Sequence, residues 1–401
     1  MRFEELDRQR QQAARQNGLT GEVAETVRNA RETYEQDPTQ GTLAVISRIR
    51  GFIRHIVTGV IAKHFPDARL EHRADWDEDI YRDLMVMAAR LGVVHVDART
   101  GDLWLEPQYR ELVLTGKDVS GQAAEDEADY RFMLEVAELG SSEEPPKWLL
   151  GADAGYFPIM VRYFREIEKM EMTHRVPMSR GTSFCSDLGE TAFLSFTHPT
   201  FEQLISDLAP TSFLDVGCGE GYQVAAAAKA ASVERALGVE MDPEVAASAN
   251  TRLAELPGAE VRAGNVNSVA IDDEFDLVFG CYMLFYMERD DQLAMLRKVK
   301  ELLAPDGVFV LCQYFPDFTD FQQVMIENAG GAGIQHYIGD VVNSCIDAEV
   351  LLNQILEHFR SGIFWHEYKA MLEEVGFEVS EIRPADPLFY SHYVVARRSE
   401  T

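Results

Sequence analysis

The chain has 401 residues, 46% hydrophobic and 26% charged, a balance that suits a folded protein of one or two domains and excludes a disordered or collagen-like one. Its 67 acidic residues against 37 basic leave a formal charge of −30, and both the first 150 residues and the remainder are net acidic. Such a surface repels phosphate backbones and anionic lipid, so neither a nucleic acid nor a membrane is the expected partner. The N-terminal run MRFEELDRQRQQ is polar where a secretory leader needs an apolar core. The apolar stretch from Gly51 to Phe65 is broken by Arg54, His55, Lys63 and His64. No segment reaches the roughly 20 apolar residues that a membrane helix requires. The cysteines (Cys185, Cys218, Cys281, Cys312 and Cys345) are scattered and form no C-x-x-C pair. A disulfide framework and a thiolate zinc site are therefore not expected, and a cytoplasmic location is.

In chain order, residues 1–36 carry charges and helix formers and predict a solvated helix or helix pair. Residues 43–65 place apolar side chains three and four apart, and 79–91 do the same before Gly92, a helix stop. The run VVHVDARTGDLWLEP alternates on either side of Ala98–Asp102 and predicts a hairpin. Helices followed by a hairpin imply a mainly α-helical, winged-helix-like domain over 1–145. With one Arg beside Asp97 and Asp102 at its tip, dimerisation and substrate cover are expected of it rather than DNA binding. Acidic, small and Pro residues over 117–146 mark the junction.

From 146 to 401 strands alternate with helices. Strands are expected at 212–216, 236–240, 259–263, 275–280, 307–313, 377–383 and 388–397, and helices at 221–232, 243–255, 289–303 and 364–375. That order predicts an α/β, doubly wound, seven-stranded Rossmann-like sheet with an antiparallel strand at its end. The connection at about 315–362 is longer than an ordinary loop and rich in aromatics, so it is expected to be an inserted lid, hinged at Gly330–Gly333.

The chemistry concentrates in Phe213-Leu214-Asp215-Val216-Gly217-Cys218-Gly219-Glu220-Gly221, a buried strand running into a glycine turn and an Ala-rich helix. Glycines allow a sharp turn and close approach to a ligand. The next strand ends at Glu240, whose carboxylate can accept both ribose hydroxyls of an adenosine. A dinucleotide fold would use G-x-G-x-x-G to seat a pyrophosphate. Here Asp215 lies just before the turn and Glu220 inside it, which suits a cationic cofactor better than a phosphate.

These residues resemble those of class I S-adenosylmethionine-dependent methyltransferases, over roughly 185–397. The resemblance implies that the loop with Gly217, Cys218, Gly219 and Gly221 packs on the cofactor. It places Asp215 near the methionine amino group, Glu240 on the ribose and Met241 against the adenine. Ala263-Gly264-Asn265-Val266 stands where the family has Gly-Asp and an apolar residue; Asn265 departs from that pattern, and its amide oxygen can still accept from the adenine amine. Arg180 is a candidate partner for the cofactor carboxylate. The stretch opening at Cys281 should face the transferable methyl, with Tyr282, Phe285 and Tyr286 as an aromatic wall joined by Tyr314 and Tyr337 from the lid.

Small-molecule methyltransferases often carry His in that stretch, where this chain has Tyr and Phe. The candidates for a proton-accepting base are His336, His366 and Tyr282, with Glu288 and His198 behind them. No ligand spacing points to a metal. The front half resembles the dimerisation domain of small-molecule O-methyltransferases, which implies an oxygen acceptor and a homodimer. C-methylation of an apolar or enol-type substrate and N-methylation stand as alternatives. So does a cofactor-binding regulator without transfer activity.

Overall fold

The structure, a computed structural model, describes residues 48–97, 99–140, 156–177, 197–316, 334–357, 364–386 and 390–399. The expected N-terminal helix, the junction near 145, Arg180 and the glycine hinge lie outside them. The chain divides into two units, residues 1–71 with 88–168, and residues 72–87 with 169–401.

In the first unit, α1 (Ile49–His64) buries Phe52, Ile53, Ile56, Val57, Val60 and Ile61, the three-and-four spacing seen in the sequence. Helix α2 (Glu78–Arg90), whose residues up to Met87 belong to the second unit, ends before Gly92, whose positive φ of 74° a side chain would oppose. Strands β1 (Val94–Val96) and β2 (Leu103–Leu105) pair antiparallel as the expected hairpin. Its turn is held by Asp97 Oδ1, which accepts from the backbone N–H groups of Arg99 and Thr100. Helices α3 (Pro107–Thr115) and α4 (Gln122–Gly140) follow, then α5 (Tyr156–Phe164). Asp126 on α4 is buried but satisfied: Arg54 Nε donates to it at 2.8 Å and the Tyr109 hydroxyl at 3.1 Å.

The second unit is the sheet. Helix α6 (His198–Leu208) precedes β3 (Ser212–Val216), α7 (Tyr222–Ala228), β4 (Arg235–Glu240), α8 (Pro243–Leu253) and β5 (Ala259–Ala263). After these come β6 (Phe275–Cys281), α9 (Arg289–Leu302), β7 (Leu303–Gln313), α10 (Ile334–Ile355), α11 (Trp365–Val375), β8 (Phe377–Pro384) and β9 (His392–Arg398). The seven strands run in the order β5-β4-β3-β6-β7-β9-β8. Strands β3 to β7 are parallel, and β9 is antiparallel to both neighbours. The antiparallel strand is therefore one place in from the edge, because β9 returns between β7 and β8.

The central strands are apolar without alternation because both faces are covered. Phe201 of α6 meets Phe213 and Phe279 on one face, with ring centroids 5.9 and 5.0 Å apart. All three are fully buried, each contributing about 1.5–3 kcal/mol. Asp242 caps α8 by accepting from the N–H groups of Glu244 and Val245, and Pro243 follows as its first residue. The order in which successive strands are added reverses between β3 and β6: β4 and β5 extend the sheet one way, β6 and β7 the other. A ligand crevice in such a sheet opens at the carboxyl ends of those two strands. No helix among the described residues is long and apolar enough to cross a membrane.

Candidate active site

At that switch point β3 ends in the glycine loop. Gly217, Gly219 and Gly221 all have positive φ, at 71°, 51° and 74°. The N–H groups of Gly217 and Cys218 donate to Val239 O, tying the loop to β4. Gly221 needs its missing side chain for a second reason, since a Cβ there would lie 3.3 Å from the Ala249 methyl on α8. At Gly219 a Cβ would meet nothing within 4 Å, so the loop's outer face is open. Cys218 turns inward and is buried beneath the loop. Its role toward a ligand is left to its backbone.

Two carboxylates frame the loop. Glu240 Oε2 accepts from Gly219 N–H and Oε1 from Asp242 N–H, each at 2.9 Å. A carboxylate has about four acceptor sites, so two bonds leave room for two ribose hydroxyls. Asp215 is 1% exposed and neither of its oxygens has a hydrogen-bond partner. Burial, and then the charge of Glu240, pushes its carboxyl well above the usual range. A buried acid left in this state fits a ligand ammonium, which would ionise it. Glu220 is otherwise engaged: its Oε2 accepts from Ser248 at 2.9 Å and Arg252 at 3.3 Å, and Arg252 lies 4.0 Å over the Tyr222 ring. The expected anionic match to a cationic cofactor therefore falls to Asp215, while Glu220 ties the loop to α8.

On the β5 side, Met241 is 72% exposed, an apolar side chain open to a base. Asn265 Oδ1 already accepts from Asn267 N–H at 2.9 Å, so an adenine amine would share that oxygen. Val266 is buried beside it.

On the β6 side, Cys281 pairs in register with Cys312, and Tyr282 follows with a φ of 49°, uncommon for a bulky residue. That turn sends Met283 back against the loop, where a Cβ on Gly217 would lie 3.4 Å from the Met283 Cβ. The Tyr282 hydroxyl pairs with the Ser391 hydroxyl. Burial pushes this phenol well above its ordinary value, so it stays protonated and suits a wall or a donor rather than a base. Tyr314 lies 6.3 Å from Tyr282 and 6.2 Å from Phe285 between ring centroids, and Tyr286 packs edge-on to Phe285 at 4.5 Å. Four of the five expected wall residues thus assemble.

Tyr337 and His336 fall in the first turn of α10, and their side chains lie outside the described set. His366 is exposed on the first turn of α11, 5.9 Å from Phe364. His198 opens α6 and faces Glu202 at 3.3 Å, and Glu288 precedes α9 at the surface. Among the described residues no group of three or more His, Cys, Asp or Glu is placed to hold a metal ion. Sequence reading missed three polar residues here. Gln313 is fully buried with neither amide atom bonded, and Asn353 donates to the Tyr314 hydroxyl at 2.7 Å. The third, Glu349, sits one turn before Asn353 on α10.

Residues 213–307 match the family model of a methyltransferase domain. Residues 213–307 therefore carry a methyltransferase domain, with S-adenosylmethionine as its cofactor. No curated protein matches it. Among solved structures it is similar to an O-methyltransferase family 2 protein from Planctomyces limnophilus in complex with apigenin, at 12% identity and a TM-score of 0.49, covering 89% of this chain and 96% of that one. It is also similar to the mitomycin 7-O-methyltransferase MmcR, at 17% identity and 0.41, covering 93% and 99%. The DhpI complex with S-adenosylhomocysteine aligns at 16% and 0.37, over 55% of this methyltransferase and 90% of that chain.

Proposed function

We propose that the methyltransferase acts on a hydroxyl oxygen of a small aromatic molecule. The observation that carries this reading is the aromatic wall of Tyr282, Phe285, Tyr286 and Tyr314, which stands at the carboxyl edge of the sheet beside the glycine loop. A planar, largely apolar acceptor fits such a wall, and phenol edges offer it hydrogen bonds. Bound S-adenosylmethionine supplies a methyl group on a positively charged sulfur, open to in-line displacement. Asp215 would neutralise its ammonium, Glu240 would hold its ribose, and Met241 would cover its adenine. Met283, packed on Gly217, sets how near the wall approaches the loop. Aromatic faces favour the sulfonium charge, and a fixed acceptor orientation removes entropy from the barrier.

The helices and hairpin of the first unit support the dimer reading, and light scattering checks it by the particle mass. C-methylation of an enol-type acceptor is the second reading, favoured by Phe285 and Tyr286 standing where a basic His is common in such enzymes. Mass spectrometry separates the readings, with purified protein, S-adenosylmethionine and a panel of phenols, keto acids, amines and prenyl compounds. Phenols are expected to gain one methyl group on oxygen. Methylation confined to carbon or nitrogen overturns the hydroxyl reading, and transfer to nothing in the panel favours a regulator.

A further inference from the structure

The wall has a polar end. Glu349 and Asn353 stand four residues apart on α10 and so share one face of the helix. The Glu349 carboxylate accepts hydrogen bonds from the Asn353 amide and the Tyr390 hydroxyl. Asn353 also donates to Tyr314, whose ring lies 5.6 Å from that of Tyr390. Three segments converge there: α10, the end of β7 and the run into β9. Register places them at the same edge as the glycine loop, since Val216 pairs with Gly280, Cys281 with Cys312 and Gln313 with His392. Contacts run from Gly217 through Met283 and its neighbours Tyr282 and Phe285 to Tyr314, and end at Glu349.

We infer that Glu349 takes the proton from the acceptor hydroxyl during methyl transfer, an assignment that rests on the hydroxyl reading above. No Lys or Arg among the described residues pairs with this carboxylate. The ionisable groups facing it are the phenols of Tyr314 and Tyr390, with Tyr286 beyond Tyr314 and with Cys345 and Asp347 on its own helix. Burial is the main cause that lifts its carboxyl to about 7, and the bonds from Tyr390 and Asn353 act against the lift. A purely structural position would be served as well by Gln, which carries no charge to desolvate. A base that titrates near neutrality is instead matched to proton transfer at neutral pH. In the step itself, the acceptor O–H bond breaks and its proton passes to a Glu349 oxygen. The freed electron pair forms the O–CH3 bond, and the pair of the broken C–S bond stays on sulfur. The carboxylic acid returns its proton to water as product leaves.

The test compares the parent protein with Glu349→Gln and Glu349→Asp, using a cyanophenol and a cresol as acceptors. Glu349→Gln is expected to bind S-adenosylmethionine as the parent does and to lose roughly 10²–10⁴-fold in kcat. The loss should be smaller for the more acidic cyanophenol, and the acid limb near pH 7 in the parent's kcat profile should vanish. Glu349→Asp should keep part of the rate and the limb. An infrared carboxyl band that titrates near pH 7 in the parent and is missing in Glu349→Gln supports the assignment without turnover; its absence from the parent overturns it. A Glu349→Gln rate within about 3-fold of the parent, with the limb unchanged, overturns the assignment alone. A parent that binds cofactor and methylates neither phenol overturns the hydroxyl reading and this assignment with it.

Discussion

At Asp215 a carboxyl is enclosed with neither oxygen bonded, and burial and the charge of Glu240 raise it well above its usual value. The folded chain therefore holds this proton more tightly than the unfolded one. The stabilisation is complete below the unfolded carboxyl value, about 3.9, and is lost as pH rises through the folded value. Without cofactor, Asp215→Asn should melt above the parent at pH 8, by a few degrees, with the gap closing toward pH 4. With cofactor present the parent should gain more than the variant, because only the carboxylate answers an ammonium. Scanning fluorimetry checks both, and a lower melting temperature for the cofactor-free variant at pH 8 contradicts the account. At Glu240, the Gln variant loses charged acceptance toward Gly219, Asp242 and the ribose. Its cofactor Kd should rise about 10- to 100-fold, from hydrogen bonds to a charged group worth roughly 1.5–3 kcal/mol. Both positions were legible because their spacing to the glycines is local. Glu349 was not, for it lies over 100 residues beyond Glu240 and reaches the site only when α10 folds back toward Tyr314 at the end of β7.

Among the elements, two glycines separate packing from binding. A Cβ at Gly238 on β4 would lie 2.5 Å from Cys218 Sγ and 2.9 Å from a Val261 methyl. Gly238→Ala is expected to cost about 1–3 kcal/mol and to lower the melting temperature by several degrees. Gly219→Ala meets no atom and carries only the left-handed backbone penalty, about 1–2 kcal/mol. Its new methyl faces the open side of the loop, so its larger effect should be on cofactor Kd, by about tenfold. Calorimetry and thermal melts on both variants check the contrast; equal effects of the two on affinity would count against it.

The elements were the most legible feature of the sequence. Strands β3 and β5 have the expected bounds, and the helices expected at 79–91, 243–255, 289–303 and 364–375 differ by a residue or two, whereas α7 ends before 232 and the helix expected over 43–65 is described from Ile49 onward. Strand β7 starts four residues early because Leu303 still pairs with Phe275 across a register shift that no local pattern reveals. The position of β9 between β7 and β8 is likewise a matter of long-range pairing, invisible to periodicity.

For the whole molecule, a formal charge of −30 sets what approaches it. A mobility-shift titration with duplex DNA at low salt should show no complex, since a net charge of −30 opposes approach to phosphate. Against that acidic background the cofactor is zwitterionic with an added sulfonium, and on the proposed reading its ammonium would meet Asp215. We propose that the glycine loop, Asp215 and Glu240 together form one nucleoside-cofactor site. Isothermal calorimetry with S-adenosylmethionine tests it most directly. The expected result is saturable binding at one site per chain in the micromolar range, weakened about 10- to 100-fold in Glu240→Gln. No heat of binding at high micromolar cofactor, with the folded parent protein, would contradict it.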